Sequence, residues 1–141
     1  MNAPHILALK HYFETLTLDS VAPLTDYYPA EAYFKDPFNE VHGIVAIEKV
    51  FRHMFANLDK SEFSIQEIWE RDDSAVFLWE FRFRFRGKTL AQQSFTGMSM
   101  LRFYRTNKVN HHRDYWDAAE EIYEKFPVIG PTLRWIKRRV G

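Results

Sequence analysis

From Ala75 to Arg86 the chain reads AVFLWEFRFRFR, with Trp79, Phe81, Phe83 and Phe85 on one parity and Glu80, Arg82, Arg84 and Arg86 on the other. A period of two fits only a β-strand, where successive side chains leave on opposite faces. The same residues in a helix would scatter rings and cations around the whole cylinder. One face of this strand must therefore be buried and the other solvated, so a sheet has to be layered on something apolar. The run also combines rings and arginines in the manner of single-strand nucleic-acid binders. Parity puts the two on opposite faces, and the 19 basic residues equal the 19 acidic ones. No nucleic-acid partner is expected.

Other strands flank this one. Phe63, Ile65 and Trp69 alternate ahead of a turn at Asp72, Asp73 and Ser74. Gly87 and Lys88 turn the chain again, and Thr89 to Tyr104 forms a long strand in which Gly97 marks a bulge or bend. Thr106, Asn107 and Lys108 lead into Val109 to Asp117, VNHHRDYWD. The first half has a helical period instead. Pro4 opens a helix with Ile6, Leu9, Phe13 and Leu16 on one face and Tyr12 at its flank. Asp19 and Ser20 offer caps to a short second helix that buries Val21, Leu24 and Tyr28 and stops before Pro29. Ala32 to Asp36 is a short strand with Phe34 and Asp36 on one face, followed by a turn through Pro37, Asn39 and Gly43. From Ile44 a long helix carries Ile47, Phe51, Met54, Phe55 and Leu58.

Asp117 and Glu120 form a capping box for a helix ending before Pro127. A last helix after Pro131 has Leu133, Ile136 and Val140 on one side and Arg134, Lys137 and Arg138 elsewhere. Its apolar side is expected to pack over the barrel or a neighbouring subunit; contact of the basic face with a membrane is the lesser reading. The order predicts an α+β fold in which a curved antiparallel sheet wraps the long helix. At 141 residues one core suffices. Residues 1–117 form the domain, and residues 118–141 a helical extension packed on it.

Aromatic residues make up 17% of the chain, enough to line an apolar cavity as well as fill a core. There is no cysteine, hence no disulfide framework or thiol chemistry. The opening MNAPHILALK has no basic region ahead of an apolar one, and no apolar run is long enough to span a bilayer, so the expected location is cytoplasmic.

Alternation over Val109 to Asp117 sends His112, Asp114 and Trp116 to one face and His111, Arg113, Tyr115 and Asp117 to the other. An imidazole, a carboxylate and an indole together make a poor core but a good pocket wall. His112 and Asp114 can hold each other as an acid–base pair that fixes the imidazole tautomer. The slipped register would bring His111, Arg113 and Tyr115 inside instead. Asp36, near the same apolar interior, is a candidate general base. Trp79, Phe81, Phe103, Trp116 and Phe34 supply core and the walls of whatever space remains. Asp36, His112 and Asp114 are suitable metal-ligand types, but there is no HxH, HExxH or Cys pair, and no metal is expected.

The segment YFKDP at Tyr33 to Pro37, followed by Gly43 and the Ile44 helix, resembles the nuclear transport factor 2-like superfamily of cone-shaped α+β barrels. Within it the chain is similar to ketosteroid isomerases and SnoaL-type polyketide cyclases over Pro4 to Asp117. The resemblance implies that Asp36 is the general base and Tyr12 an oxyanion-hole donor. The second oxyanion donor of those isomerases, a neutral aspartic acid, falls on Ser99, whose hydroxyl is a weaker partner. HRDYWD is also similar to a WRDYFD-like strand of limonene-epoxide hydrolases, where the aspartate belongs to an Asp-Arg-Asp set, and to the HWD-type strand of SnoaL-like cyclases. That set needs an Arg-x-Asp on a neighbouring strand, and Ala75 to Arg86 has none. The resemblance therefore implies a homodimer acting, without a cofactor, on a small hydrophobic carbonyl compound as an isomerase or cyclase. A non-catalytic ligand-binding or accessory domain, and an epoxide hydrolase, are the alternatives.

Overall fold

The computed structural model describes residues 2–85, 92–103, 105–121 and 129–140. Helix α1 (Pro4–Glu14) and a 3-10 helix (Asp19–Asp26) precede strands β1 (Tyr33–Lys35) and β2 (Glu40–His42), then helix α2 (Ile44–Asn57). Strands β3 (Leu58–Arg71), β4 (Ser74–Phe85), β5 (Gln93–Phe103) and β6 (Val109–Tyr115) follow, with short α3 (Ala118–Glu121) and α4 (Ile129–Val140) last. The strands form one sheet in the order β2-β1-β6-β5-β4-β3. Every pairing is antiparallel except β1 with β6, which run parallel. This is the α+β cone with a curved sheet around helices.

The ring-bearing parity of β4 is buried: Ala75, Phe77, Trp79, Phe81 and Phe83 all lie in the core, while Arg82 and Arg84 are exposed. Ile6, Leu9, Phe13 and Leu16 from the first helical segment join that core, with Val21, Leu24 and Tyr28 from the second and Ile47, Phe51 and Phe55 from α2. Gly43 adopts φ 90° as the N-cap of α2, a conformation that suits glycine, and its N–H reaches the Ala32 carbonyl at 2.8 Å. The helix thereby starts against β1 and lays its apolar face across the sheet.

Four local expectations are corrected. Trp69 is 45% exposed, because a bulge between Ile65 and Glu67 shifts the register and Ile68 takes the inward place opposite Phe77. Gly97 sits in regular pairing opposite Trp79, with no bulge; its reason is close approach, since an added Cβ would lie 2.5 Å from the Trp79 ring. Asp19 and Ser20 do not cap the 3-10 helix, whose N-cap is Leu18; the Ser20 hydroxyl instead accepts the Thr17 N–H at 2.7 Å. Helix α4 does not bury its apolar side against its own barrel: Ile136 is 43% and Val140 82% exposed in the single chain. Asp117 does cap the start of α3, its carboxylate accepting the Glu120 N–H at 2.9 Å. The expectations for the Phe85 side chain, Arg86, the Gly87–Lys88 turn, Thr89, Tyr104 and the helix end before Pro127 lie outside the described residues. Among the described residues, no helix is long and apolar enough to cross a membrane.

The β3 bulge frees a backbone donor, and Glu14 from α1 takes it up: its Oε2 accepts the Ile65 N–H at 3.0 Å while Lys10 ion-pairs Oε1 at 2.8 Å. Partial burial pushes the Glu14 carboxyl up, but the bonds from Lys10 and Ile65 outweigh it and hold the group below its ordinary range. A depressed carboxyl contributes stability that is full above the unfolded value, about 4.3, and is lost as pH falls through the folded one. Glu14→Gln is therefore expected to flatten the acid side of the stability profile, read as urea midpoints at a series of pH values. An unchanged acid slope would mean that the α1–β3 tie is not formed in solution.

Candidate functional site

Parallel pairing of β1 with β6 sets Phe34 opposite His112 and Lys35 opposite Arg113. Two residues beyond Phe34 and two beyond His112, on the inward parity of each strand, come Asp36 and Asp114. The register thus delivers both carboxylates to the same end of the cone. Both line a cavity of about 520 Å³ enclosed between α2 and the inner faces of β3 to β6. Its remaining wall is chiefly rings, among them Phe13, Phe34, Phe51, Trp79, Phe81 and Trp116.

The His112 side chain is 5% exposed and that of Asp114 17%, whereas Tyr115 is 51% exposed. Of the two registers open to this strand, the one with His112 and Asp114 inside is adopted. It is fixed by β5, where Leu101 faces His112 and Ser99 faces Asp114, both on the buried parity.

These side chains form one hydrogen-bonded chain. Tyr28 Oη lies 2.7 Å from His112 Nδ1, and His112 Nε2 lies 2.6 Å from Asp114 Oδ1. The Ser99 hydroxyl donates to the same Oδ1 at 2.5 Å and accepts the indole N–H of Trp79 at 2.9 Å. A carboxylate only accepts, so Nε2 carries the hydrogen toward Asp114. In the neutral ring, Nδ1 is then the acceptor for the phenol O–H, and every donor in the chain has a partner. Burial pushes the Tyr28 phenol well above its usual range, with the charge of Asp114 adding to the effect. It remains a donor at any working pH. Rings of Phe34, Phe13 and Phe51 pack around the imidazole at centroid distances of 4.9, 5.8 and 6.5 Å.

Asp114 is thus oriented from one side only. Two donors hold Oδ1, and no hydrogen bond reaches Oδ2 among the described residues. Such a carboxylate is held rigidly through one oxygen, and the other keeps its lone pairs free of protein donors among the described residues.

Asp36 is engaged differently. Its Oδ1 accepts the backbone N–H groups of Phe38 at 2.8 Å and Asn39 at 2.6 Å, and the Asn39 amide lies 3.2 Å from both oxygens. This is an Asx-type turn that reverses the chain between β1 and β2. The residue lines the cavity and supports its rim at once. Asp36→Ala should remove about 1–2 kcal/mol from stability by orphaning the turn donors, whereas Asp36→Asn, which keeps an acceptor oxygen, should cost much less. Equal urea midpoints for the two variants would show that the turn does not rely on this side chain.

Tyr12 is not brought to the site. Its hydroxyl bonds the carbonyls of Ser20 at 3.2 Å and Val21 at 3.4 Å, and its ring stacks on Tyr27 at 4.1 Å. Helix α1 turns this edge toward the 3-10 helix and away from the cavity. Phe103 is also elsewhere, buried against His5 with a centroid distance of 4.9 Å. Phe34, Trp79, Phe81, Ser99 and Trp116 do line the cavity. Sequence reasoning missed Tyr28 as a site residue. The available signal was a phenol on an otherwise aliphatic buried stripe, since a buried tyrosine hydroxyl usually has a partner. Among the described residues, no group of His, Cys, Asp or Glu side chains is gathered in a way that could hold a metal ion.

Fold and cavity together define a cone-shaped α+β protein of the nuclear transport factor 2-like type. The sequence profile of the SnoaL-like domain matches residues 9–112, and the chain belongs to that family. Among proteins of curated function, none matches. Solved structures similar to it include a Jannaschia sp. CCS1 protein provisionally assigned as a SnoaL-like polyketide cyclase, with 11% identity, TM-score 0.74, and 92% of this chain and 96% of that one covered. Another is a hypothetical protein of Catenulispora acidiphila with a ketosteroid isomerase-like fold, in complex with trimethylamine, with 12% identity, TM-score 0.71, and 86% and 92% covered. A third is an LEH-like epoxide hydrolase of M. tuberculosis, with 13% identity, TM-score 0.68, and 83% and 85% covered. At these identities the likeness is one of fold.

Proposed function

We propose that this protein binds a small hydrophobic molecule in the cone and performs acid–base chemistry on it, with Asp114 as the proton acceptor. The observation that carries this reading is the chain from Tyr28 through His112 to Asp114, closed by Ser99 and Trp79. Burying so many polar groups is costly unless all are paired, and here the pairing converges on one oxygen of a carboxylate that lines the cavity. A base already oriented in an apolar hollow suits removal of an α-proton from a carbonyl compound, the step shared by isomerases and cyclases. Proton return to a second carbon of the same molecule would complete an isomerisation without a cofactor. Asp36, at the same rim, is the second carboxylate available to pass that proton.

The oxyanion role suggested for Tyr12 has no support, because its hydroxyl is engaged on backbone carbonyls outside the cavity. Epoxide hydrolysis is the weaker reading. Arg113 sits on the outer parity of β6 with its guanidinium 4.7 Å from the centroid of the Tyr115 ring, and no arginine is among the described residues lining the cavity. An Asp-Arg-Asp arrangement therefore has no counterpart there.

The test is deuterium incorporation at the α-carbon of 2-tetralone and related cyclic ketones in D2O, followed by NMR with and without protein. Exchange above the buffer rate, saturating with ketone, is the expected result. Binding without exchange across such a panel would overturn the catalytic reading and leave a ligand-binding protein. Diol formation from cyclic epoxides would favour the hydrolase instead.

A further inference from the structure

The cavity wall has an unusual charge inventory. Among its described lining residues are two carboxylates, Asp36 and Asp114, and no lysine or arginine. Its two histidines are engaged: His112 in the chain above, and His53 with Asn57 one helical turn further along α2, at 3.3 Å. Lys35 and Arg113, next in sequence to Asp36 and Asp114, lie on the opposite parity of β1 and β6 and line a second hollow that both carboxylates also border, where Lys35 is 3.7 Å from Glu40 and Arg113 covers Tyr115. Much of the rest of the wall is aromatic, with Phe34, Phe51, Trp79, Phe81 and Trp116 among its rings, and an aromatic face attracts cations.

Resting on the reading of the cavity as a small-molecule site, we infer that it selects by charge: it accepts uncharged and cationic hydrophobic molecules and rejects carboxylates of the same shape, with Asp114 enforcing the choice. Asp36 spreads its charge over backbone and side-chain donors of its own turn. Asp114 leaves Oδ2 without a protein donor among the described residues, so its field enters the cavity. An anion drawn in beside it would lose its water and meet no lysine or arginine in exchange. Like charges several Å apart, at the effective dielectric of a protein site, weaken binding by roughly ten- to a hundredfold. A neutral carbonyl compound escapes this repulsion, and an ammonium group is drawn to both the carboxylate and the rings. The substrate class narrows accordingly, to hydrophobic molecules that carry no acid group.

A matched set of naphthalene derivatives tests this by calorimetry at neutral pH and low salt: 1-naphthalenemethanol, 1-naphthylmethylamine and 1-naphthoic acid. The alcohol and the amine are expected to bind at least about tenfold more tightly than the acid. In Asp114→Asn the acid should approach the alcohol, and the amine should lose its advantage. Acid bound as tightly as alcohol by the wild type, or a gap that Asp114→Asn leaves untouched, would overturn the inference. If none of the three binds, both this inference and the small-molecule reading fail. Selective binding without ketone exchange sinks only the catalytic reading, whereas exchange of ketone together with tight acid binding sinks only the charge filter.

Discussion

Asp114→Asn is expected to lower α-proton exchange on 2-tetralone by roughly a hundred- to ten-thousand-fold, the usual contribution of a positioned general base, while leaving the fold intact. The asparagine keeps an oxygen where Oδ1 stands, so His112 Nε2–H and the Ser99 hydroxyl retain their acceptor. What disappears is the lone pair on the other atom, replaced by an amide N–H2 that cannot take a proton. Stability by urea titration should stay within about 1 kcal/mol of wild type, as for an exchange that preserves shape and pairing. The two readouts together separate a base from a structural residue. Loss of exchange with an unchanged urea midpoint supports the role. Exchange at the wild-type rate would show that the proton goes elsewhere, Asp36 being the next carboxylate on the same rim.

Gly97→Ala is expected to destabilise the protein by about 1–3 kcal/mol, the range for forcing extra volume into a packed interior. Most strand glycines behave the other way, since alanine lowers the entropy lost on folding. Here the new Cβ would sit 2.5 and 2.6 Å from two carbons of the Trp79 ring and 3.0 Å from the Trp116 Cβ. The indole would have to move, and with it the N–H that holds Ser99. The effect therefore reaches the site: Ser99 loses its donor, Asp114 loses part of its orientation, and any catalytic rate should fall along with the urea midpoint. A variant as stable as wild type, with unaltered tryptophan emission, would mean that the β4–β5 packing at this point is looser than described.

Much of the architecture was legible beforehand because it rests on period. Rings at every second residue of Ala75 to Phe83 leave one burial solution, and the apolar stripes of α1 and α2 have only one face each to bury. The resemblance carried by YFKDP and HRDYWD named the fold. Reading failed where a single residue changes the count: the bulge after Ile65 swaps Trp69 for Ile68, and nothing in the composition of that strand announces it. It failed again at Gly97, where the cause is an indole arriving from the neighbouring strand.

The candidate site divides along the same line. That His112, Asp114 and Trp116 share a strand face follows from alternation alone, and so does the company of Phe34 with Asp36. Which of two faces turns inward was decided by the pairing of β6 with β5, and the meeting of Asp36 with Asp114 by the parallel register of β1 against β6. Tyr12 stayed off the site and Tyr28 reached it because a phenol's place in the chain does not say where its hydroxyl ends; the packing of helix and turn on the sheet does. The sequence by itself determined the layers, the strand parities and the chemical groups on offer. Only the tertiary structure decided which of those groups touch, because hydrogen bonds act over about 3 Å, while sequence pattern locates a side chain only to a face.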